Sequence, residues 1–383
     1  MITTSGAGTG VADESAGQPT EAAASDNVEP GRTDRWVLAA TAVAIGVAAV
    51  VLWREAETEP YHIDELRQVR PYAQGFRRLL DASFLQEQPP LDVLVGARFQ
   101  QVVGVGDVLQ RGHSMLAGVA ALVCLSVLLW RYRVRFGIPV TVLVLAISPG
   151  FISFTAYARP YALPLALMLG YLLAVDAWLE RGRWWSGAFV VALAGLLPLS
   201  RVFEPPAFLV FVSATVLIFG RRRPDWGRRV WLPVGASAAA LVLVEIPVYL
   251  RLQSRLTAYQ GDDSASLADQ WRRIVDDTLP RLADVFVNWW LAVFLVAAAL
   301  AVPQIRRRLL SLWWFWPLAL TPIAFFVAFH LRTQPGQPFY ERYGYYWLPP
   351  CAIVVGLIAE RLVAMLRDRP VSRPMVALSG LLA

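Results

Sequence analysis

The sequence predicts an all-α polytopic membrane protein, and three observations predict it: composition, the length of its apolar runs, and where its charges fall. Of 383 residues, 56% are apolar and 12% aromatic while only 17% are charged, and the mean hydropathy is +0.47. A soluble domain carries more charge and less apolar surface than this. The apolar residues fall into runs close to the roughly 20 residues that a helix needs to cross a hydrocarbon core about 30 Å thick. All 35 Lys+Arg residues are arginines, and they fall largely in short connections between those runs. In a soluble chain a formal charge of +6 would point to nucleic acid. Here the arginines border membrane spans, so no nucleic-acid partner is implied.

The elements follow in order. Residues 1–35 are rich in Ala, Gly, Ser, Thr and acids without an apolar face, which predicts a disordered cytoplasmic tail. The run Trp36 to Trp53 is too long for a signal-peptide core, and Glu55, Glu57 and Glu59 after it do not form a small-residue cleavage site; it is expected to remain as the first span. Further runs lie near 114–130, 138–157, 161–179, 186–200, 205–220, 230–250, 284–302, 310–330 and 346–365. That makes about ten transmembrane helices, or eleven if the short apolar stretch Met375 to Ala383 begins another instead of lying at the interface. Pro149, Pro164, Pro247 and Pro322 are expected to kink their runs. Cys124 and Cys351 sit inside apolar runs without ligand spacing and read as small buried residues.

Sidedness comes from alternate loops. Arg131 to Arg135, Arg181 with Arg183, Arg221 to Arg229, Arg306 to Arg308 and Arg367 to Arg373 all fall on one side, which the positive-inside rule makes cytoplasmic. The other side receives a long loop over 54–113, a second over 251–283, a connection over 331–345, and tight turns at Arg159 and Arg201. The expected placement is the plasma (inner) membrane, with the N terminus inside and the membrane domain, residues 36–383, presenting its long loops outward. In the first loop, Ile63, Leu66, Val69, Tyr72, Phe76, Leu79 and Leu80 recur at helical spacing opposite Arg67, Arg70, Arg77 and Arg78, which predicts a helix lying in the interface. A second juxtamembrane helix is expected from Val93 to Leu109. Asp176, near the inner end of its run, is expected to pair with Arg181 or Arg183, and Glu245 with Arg251 or Arg255 unless it faces a cavity.

Asp64 and Glu65 begin the first loop helix, where acids also complement the helix dipole. The ordered set Tyr61-His62-Ile63-Asp64-Glu65, Gln88-Pro89-Pro90-Leu91, Tyr157-Ala158-Arg159-Pro160-Tyr161-Ala162-Leu163, then Arg342-Tyr343 with Leu348-Pro349, resembles family 39 glycosyltransferases. That family includes protein O-mannosyltransferases and the bacterial lipid A aminoarabinose transferase, and shares the C-type glycosyltransferase fold. The resemblance spans roughly residues 36–365. Bacterial members often have Glu where this chain has Tyr157.

The resemblance implies inverting transfer of a hexose or pentose from a polyprenyl-phosphate donor to an extracytoplasmic acceptor hydroxyl. Such chemistry needs a carboxylate to take the acceptor proton and a cation to meet charge on the departing phosphate. Asp64 is the candidate base, with Glu65 positioning the acceptor or tuning that base. Arg159, Arg342 and Arg201, at outer helix ends, are candidate phosphate ligands, and Gln88, Tyr161, Tyr343 and Glu245 candidate substrate contacts. His62, His113 and His330 show no ligand motif. A divalent metal stays open, since some relatives of this fold use one and others do not. Two other functions remain: a transporter or flippase, against which the lack of an internal repeat counts, and a catalytically inert assembly partner.

Overall fold

The computed structural model describes residues 32–73, 90–256, 301–332 and 341–367. They form helices and connecting turns, with no strand among the described residues. Helix α1 (Arg32–Thr58) begins inside the expected tail. It buries a stripe of Val37, Thr41, Ala44, Ala48, Leu52 and Ala56 and exposes Trp36, Val43 and Val50. A stripe of mostly small residues at three- and four-residue spacing lets another backbone approach closely, which is how helices associate where lipid removes the hydrophobic drive. A short helix α2 (Ile63–Val69) and a 3-10 turn over 70–73 follow. Then come α3 (Pro90–Val103) and α4 (Asp107–Arg131).

The start of α4 corrects the expected loop boundary. Residues 107–113 were assigned to the outer connection, whereas the break is Gly104 to Gly106, with Gly104 at φ +94°. Arg111 and His113 therefore lie inside a membrane helix. The expected span 138–157 is also two helices, α5 (Gly137–Ile147) and α6 (Pro149–Ala156), bent by 66°. Ser148 is extended at ψ 122° and Pro149 opens α6. Proline supplies no N–H and fits the first helical position.

The bundle continues with α7 (Ala162–Arg181), α8 (Trp184–Ser200) and α9 (Glu204–Gly220). A 3-10 turn over 224–230 leads to α10 (Trp231–Ala240), a π-helical turn Leu241–Glu245 and α11 (Ile246–Leu256). The final described helices are α12 (Pro303–Ser311), α13 (Phe315–Arg332) and α14 (Leu348–Arg367). Pro164 sits in the first turn of α7, where no kink is required. Among the described residues five helices are long and apolar enough to cross a membrane. The count is up to seven with the two bent pairs, and α8 and α9 are shorter apolar helices. Nearly all of the expected span at 284–302 and the C-terminal stretch lie outside the described residues, as does most of the loop at 251–283. Cys124 and Cys351 are free and only partly buried.

Packing places the site. α4 and α7 run side by side with α8 beyond, α5 packs on α14, and α9 on α13. A Cβ on Gly356 of α14 would lie 2.1 Å from Thr141 Oγ1 and 2.7 Å from the Gly137 carbonyl oxygen. The α5–α14 crossing therefore exists only because both positions are glycine. At one end of the bundle the arginine-rich turns meet. Arg131 Nε donates to Asp176 Oδ2 at 2.5 Å, Arg229 Nη1 donates to the Glu180 carbonyl at 2.8 Å, and Arg308 donates to the Tyr132 carbonyl. Asp176 thus pairs with Arg131 and accepts from Tyr132 Oη at 2.6 Å, not from Arg181 or Arg183. Arg181, five positions on, points away from Asp176 around the helix, and Arg183 lies beyond Gly182, which ends α7 at φ +62°, so neither expected pair has the geometry to form.

Candidate functional site

At the opposite end, the chain leaving α1 turns through Glu59, Pro60 and Tyr61 into α2. His62 caps α2: its Nδ1 accepts from the Asp64 N–H at 3.3 Å, while the His62 N–H donates to Glu65 Oε2 at 3.0 Å. This capping box satisfies two of the otherwise orphaned donors at a helix start. It also aims the two acids apart. The Glu65 side chain is 0% exposed, whereas Asp64 is 22% exposed at the rim.

Glu65 meets Arg111 of α4 in a bidentate pair, Nε to Oε1 at 3.0 Å and Nη2 to Oε2 at 2.9 Å. Oε1 also accepts from the Ala158 N–H at 2.8 Å. The remaining Arg111 donors reach the carbonyls of Ala56 and Glu59, each at 2.8 Å, and of Pro60 at 3.2 Å. The guanidinium thus caps the open C-terminal end of α1, where carbonyls lack helical partners. The Tyr61 ring covers it at 4.5 Å. Burial, opposed by the Arg111 charge, pushes the Tyr61 phenol up to about 12. Its hydroxyl lies 2.7 Å from the Asp107 carbonyl. One arginine thereby joins α1, α2 and α4, with Glu65 adding the turn after α6. A buried bidentate pair is stable only when every remaining donor and acceptor is satisfied, and here they are.

The tie between residues 65 and 158 sets the relation of their neighbours. Asp64 and Arg159, one position along each segment, come together: Arg159 Nη2 lies 3.6 Å from Asp64 Oδ2, and Nη1 donates to the Asp64 carbonyl at 3.3 Å. Below them lies an aromatic cluster. Phe154 and Tyr161 are 5.4 Å apart between ring centroids, Tyr161 and Tyr345 6.2 Å, and Phe151 stacks on Tyr345 at 5.9 Å. Tyr345 and Tyr346 belong to a 3-10 turn over 341–347 that leads into α14. Tyr346 Oη donates to the Tyr161 carbonyl at 3.3 Å.

Three solved structures share this arrangement of helices. ArnT from Cupriavidus metallidurans bound to undecaprenyl phosphate matches with a TM-score of 0.56 at 19% identity, over 85% of this chain and 60% of that one. The Archaeoglobus fulgidus oligosaccharyltransferase in the apo form gives 0.52 at 13% identity, over 91% of this chain and 54% of that one. The archaeal oligosaccharyltransferase AglB from the same organism, in complex with an inhibitory peptide and a dolichol-phosphate, gives 0.50 at 12% identity, over 91% and 54%. The chain has the C-type glycosyltransferase fold. It spans about 60% or less of the length of these neighbours. No protein-family model and no curated protein matches it.

On this C-type framework, the expected residues separate. Asp64, Glu65, Arg159 and Tyr161 converge at one end of the bundle. Arg201 joins them, with two of its nitrogens held by protein groups: its Nε donates to Glu204 Oε2 at 2.7 Å, its Nη1 donates to the Pro160 carbonyl at 3.1 Å, and the Tyr161 ring lies 4.8 Å from it. Glu245 sits half-buried in the π-helical turn without an ion pair among the described residues, its Oε2 lacking a hydrogen-bond partner. Its neighbours Val244 and Val248 pack with Leu199 and Val202, which places that turn beside the segment carrying Arg201. Gln88 lies outside the described residues, as do the side chains of Arg342 and Tyr343, although the 3-10 turn carrying the latter two is docked on Tyr161 through Tyr346. His113 lies in α4 with Nε2 3.6 Å from Asp92 Oδ2. Among the described residues no group of three or more His, Cys, Asp and Glu could hold a metal ion. Arg111, Glu204, Tyr345 and Tyr346 were not anticipated. An arginine one turn inside an apolar helix was the available signal for Arg111.

Proposed function

We propose that the protein is a membrane glycosyltransferase that moves a sugar from a polyprenyl-phosphate donor to an acceptor hydroxyl with inversion, at the end of the bundle carrying Asp64, on the extracytoplasmic face. The observation that carries this reading is the Asp64–Arg159 pair: a rim carboxylate and a guanidinium held 3.6 Å apart in a fold shared with enzymes solved with undecaprenyl phosphate and dolichol-phosphate.

In the reaction, the acceptor oxygen attacks the anomeric carbon while Asp64 takes its proton. The bond from that carbon to the phosphate oxygen breaks, and its electron pair leaves with the polyprenyl phosphate. Arg159, with Arg342 from the docked 3-10 turn, meets the growing negative charge. In the resting state Arg159 also holds Asp64, so an arriving donor phosphate competes for the guanidinium and frees the carboxylate to act as base. Glu65, saturated by Arg111, Ala158 and His62, anchors this arrangement without touching the acceptor. Tyr161, Tyr343, Gln88 and Glu245 remain the proposed substrate contacts.

The test is to incubate purified protein with a panel of polyprenyl-phosphate sugars and measure release of polyprenyl phosphate with a mixed acceptor extract. Release with at least one donor is expected. Movement of intact lipid-linked sugar across a bilayer without release would establish a flippase instead.

A further inference from the structure

The turn that carries Arg159 is gripped on both flanks. The Ala158 N–H, one residue before, donates to Glu65 Oε1 at 2.8 Å, and Glu65 is paired with Arg111. The Pro160 carbonyl, one residue after, accepts from Arg201 Nη1 at 3.1 Å, and Arg201 is paired with Glu204. A third hold comes from Tyr346, whose hydroxyl donates to the Tyr161 carbonyl at 3.3 Å. The turn itself is tight, with the Arg159 N–H on the Tyr157 carbonyl and the Tyr161 N–H on the Arg159 carbonyl, each at 2.8 Å. Pro160 also restricts the backbone of the residue before it.

These grips come from separate elements: α2 and α4 on one side, the α8–α9 turn and α9 on the other, and the turn before α14 beneath. Their charged side chains are deeply buried, at 0% for Glu65, 1% for Arg111 and 1% for Glu204, with Arg201 at 13%. Buried ion pairs add little net stability compared with apolar packing of the same volume. Holding the two backbone atoms that flank Arg159 is a geometric effect that apolar residues could not reproduce, because neither an N–H nor a carbonyl finds a partner in them. Arg201 was expected to bind phosphate; the structure has committed two of its nitrogens to this frame.

We infer that the Glu65–Arg111 and Arg201–Glu204 pairs form a two-sided bracket that preorganises Arg159 for the donor phosphate, which makes Arg111, Arg201 and Glu204 positioning residues. This rests on the proposed role of Arg159 in holding that phosphate. A guanidinium fixed before the ligand arrives loses less freedom on binding, so loosening either bracket weakens phosphate binding through Arg159 alone.

The consequence is a coupling that a merely structural role would not produce. The experiment is a double-mutant cycle read by binding of undecaprenyl phosphate to purified, monodisperse protein in detergent. Glu204→Gln keeps the shape of the side chain and removes its charge. Arg201→Lys keeps the charge and loses the second donor that reaches Pro160. Each is expected to weaken binding about tenfold in the Arg159 protein and to have no further effect in Arg159→Ala. Equal losses with and without Arg159, or no loss in either bracket variant, would overturn the bracket while leaving the phosphate role of Arg159 intact. An Arg159→Ala protein that binds undecaprenyl phosphate as well as wild type would overturn that role and the bracket with it. Should the charge variants fail to fold, Tyr346→Phe removes one hydroxyl from the same turn and is expected to show the same dependence on Arg159 with a smaller loss.

Discussion

Replacing Glu65 by Gln and Asp64 by Asn should separate two neighbouring acids into opposite behaviours. In the wild type, Glu65 Oε1 accepts from Arg111 Nε and the Ala158 N–H, and Oε2 from Arg111 Nη2 and the His62 N–H. A glutamine offers one oxygen and one NH2 group. Whichever way the amide is turned, its NH2 faces an arginine donor and a backbone donor, and the Arg111 charge remains at 1% exposure without a counter-ion. Breaking one partner of a buried pair costs about 3–5 kcal/mol, which for a chain of 383 residues corresponds to a fall of roughly 5 °C in melting temperature. Asp64 is 22% exposed and its pair with Arg159 is open at 3.6 Å, so Asp64→Asn should cost less than about 1 kcal/mol. Thermal unfolding in detergent, followed by the fluorescence of the 15 tryptophans and by survival of the monodisperse peak, reads both. A Glu65→Gln protein melting within a degree or two of wild type would refute the assignment of Glu65 as the buried anchor.

Other outcomes follow from the same geometry. Arg159→Ala should raise the apparent KM for a polyprenyl-phosphate sugar, with Arg159→Lys recovering only part of it because a lysine lacks the paired planar donors; unchanged donor use in both variants would make the arginine merely interfacial. Gly356→Ala would place a methyl group 2.1 Å from Thr141 Oγ1 and 2.7 Å from the Gly137 carbonyl, so it should destabilise by about 1–3 kcal/mol through overpacking, and a wild-type melting curve would show that α5 and α14 do not cross so closely. Cysteines placed at Ser83 and Ser264, in a background lacking Cys124 and Cys351, should label from outside intact cells; labelling only after permeabilisation would reverse the orientation.

What the sequence made legible was the helical membrane class, the grouping of arginines at one end, and the meeting of the Asp64 and Arg159 segments. Apolar run length and charge spacing carry the first two directly, and the ordered motifs carry the third. What it hid were long-range partners. Asp176 was assigned to the arginines that follow it closely in sequence, whereas Arg131 reaches it from a segment 45 residues away. Glu204 stands before two prolines and reads as an ordinary acidic start of a helix; only the fold shows it bound to Arg201 with its other oxygen lacking a protein donor. Arg111 was hidden by a boundary error, because starting the span at 114 left it among loop arginines. The break at Ser148 to Pro149 was expected only as a kink, since periodicity does not distinguish a bent span from two helices.

The central claim is that Asp64 is the base that activates the acceptor, and turnover of Asp64→Asn tests it most directly. The asparagine keeps the size of the side chain and the backbone carbonyl that accepts from Arg159, but it cannot take a proton. With folding and undecaprenyl phosphate binding first shown to match wild type, release of polyprenyl phosphate from the donor should fall by about two to four orders of magnitude. A well-folded Asp64→Asn protein that transfers sugar at a near-normal rate would contradict the account and leave the acidic pair as a helix cap and a structural anchor.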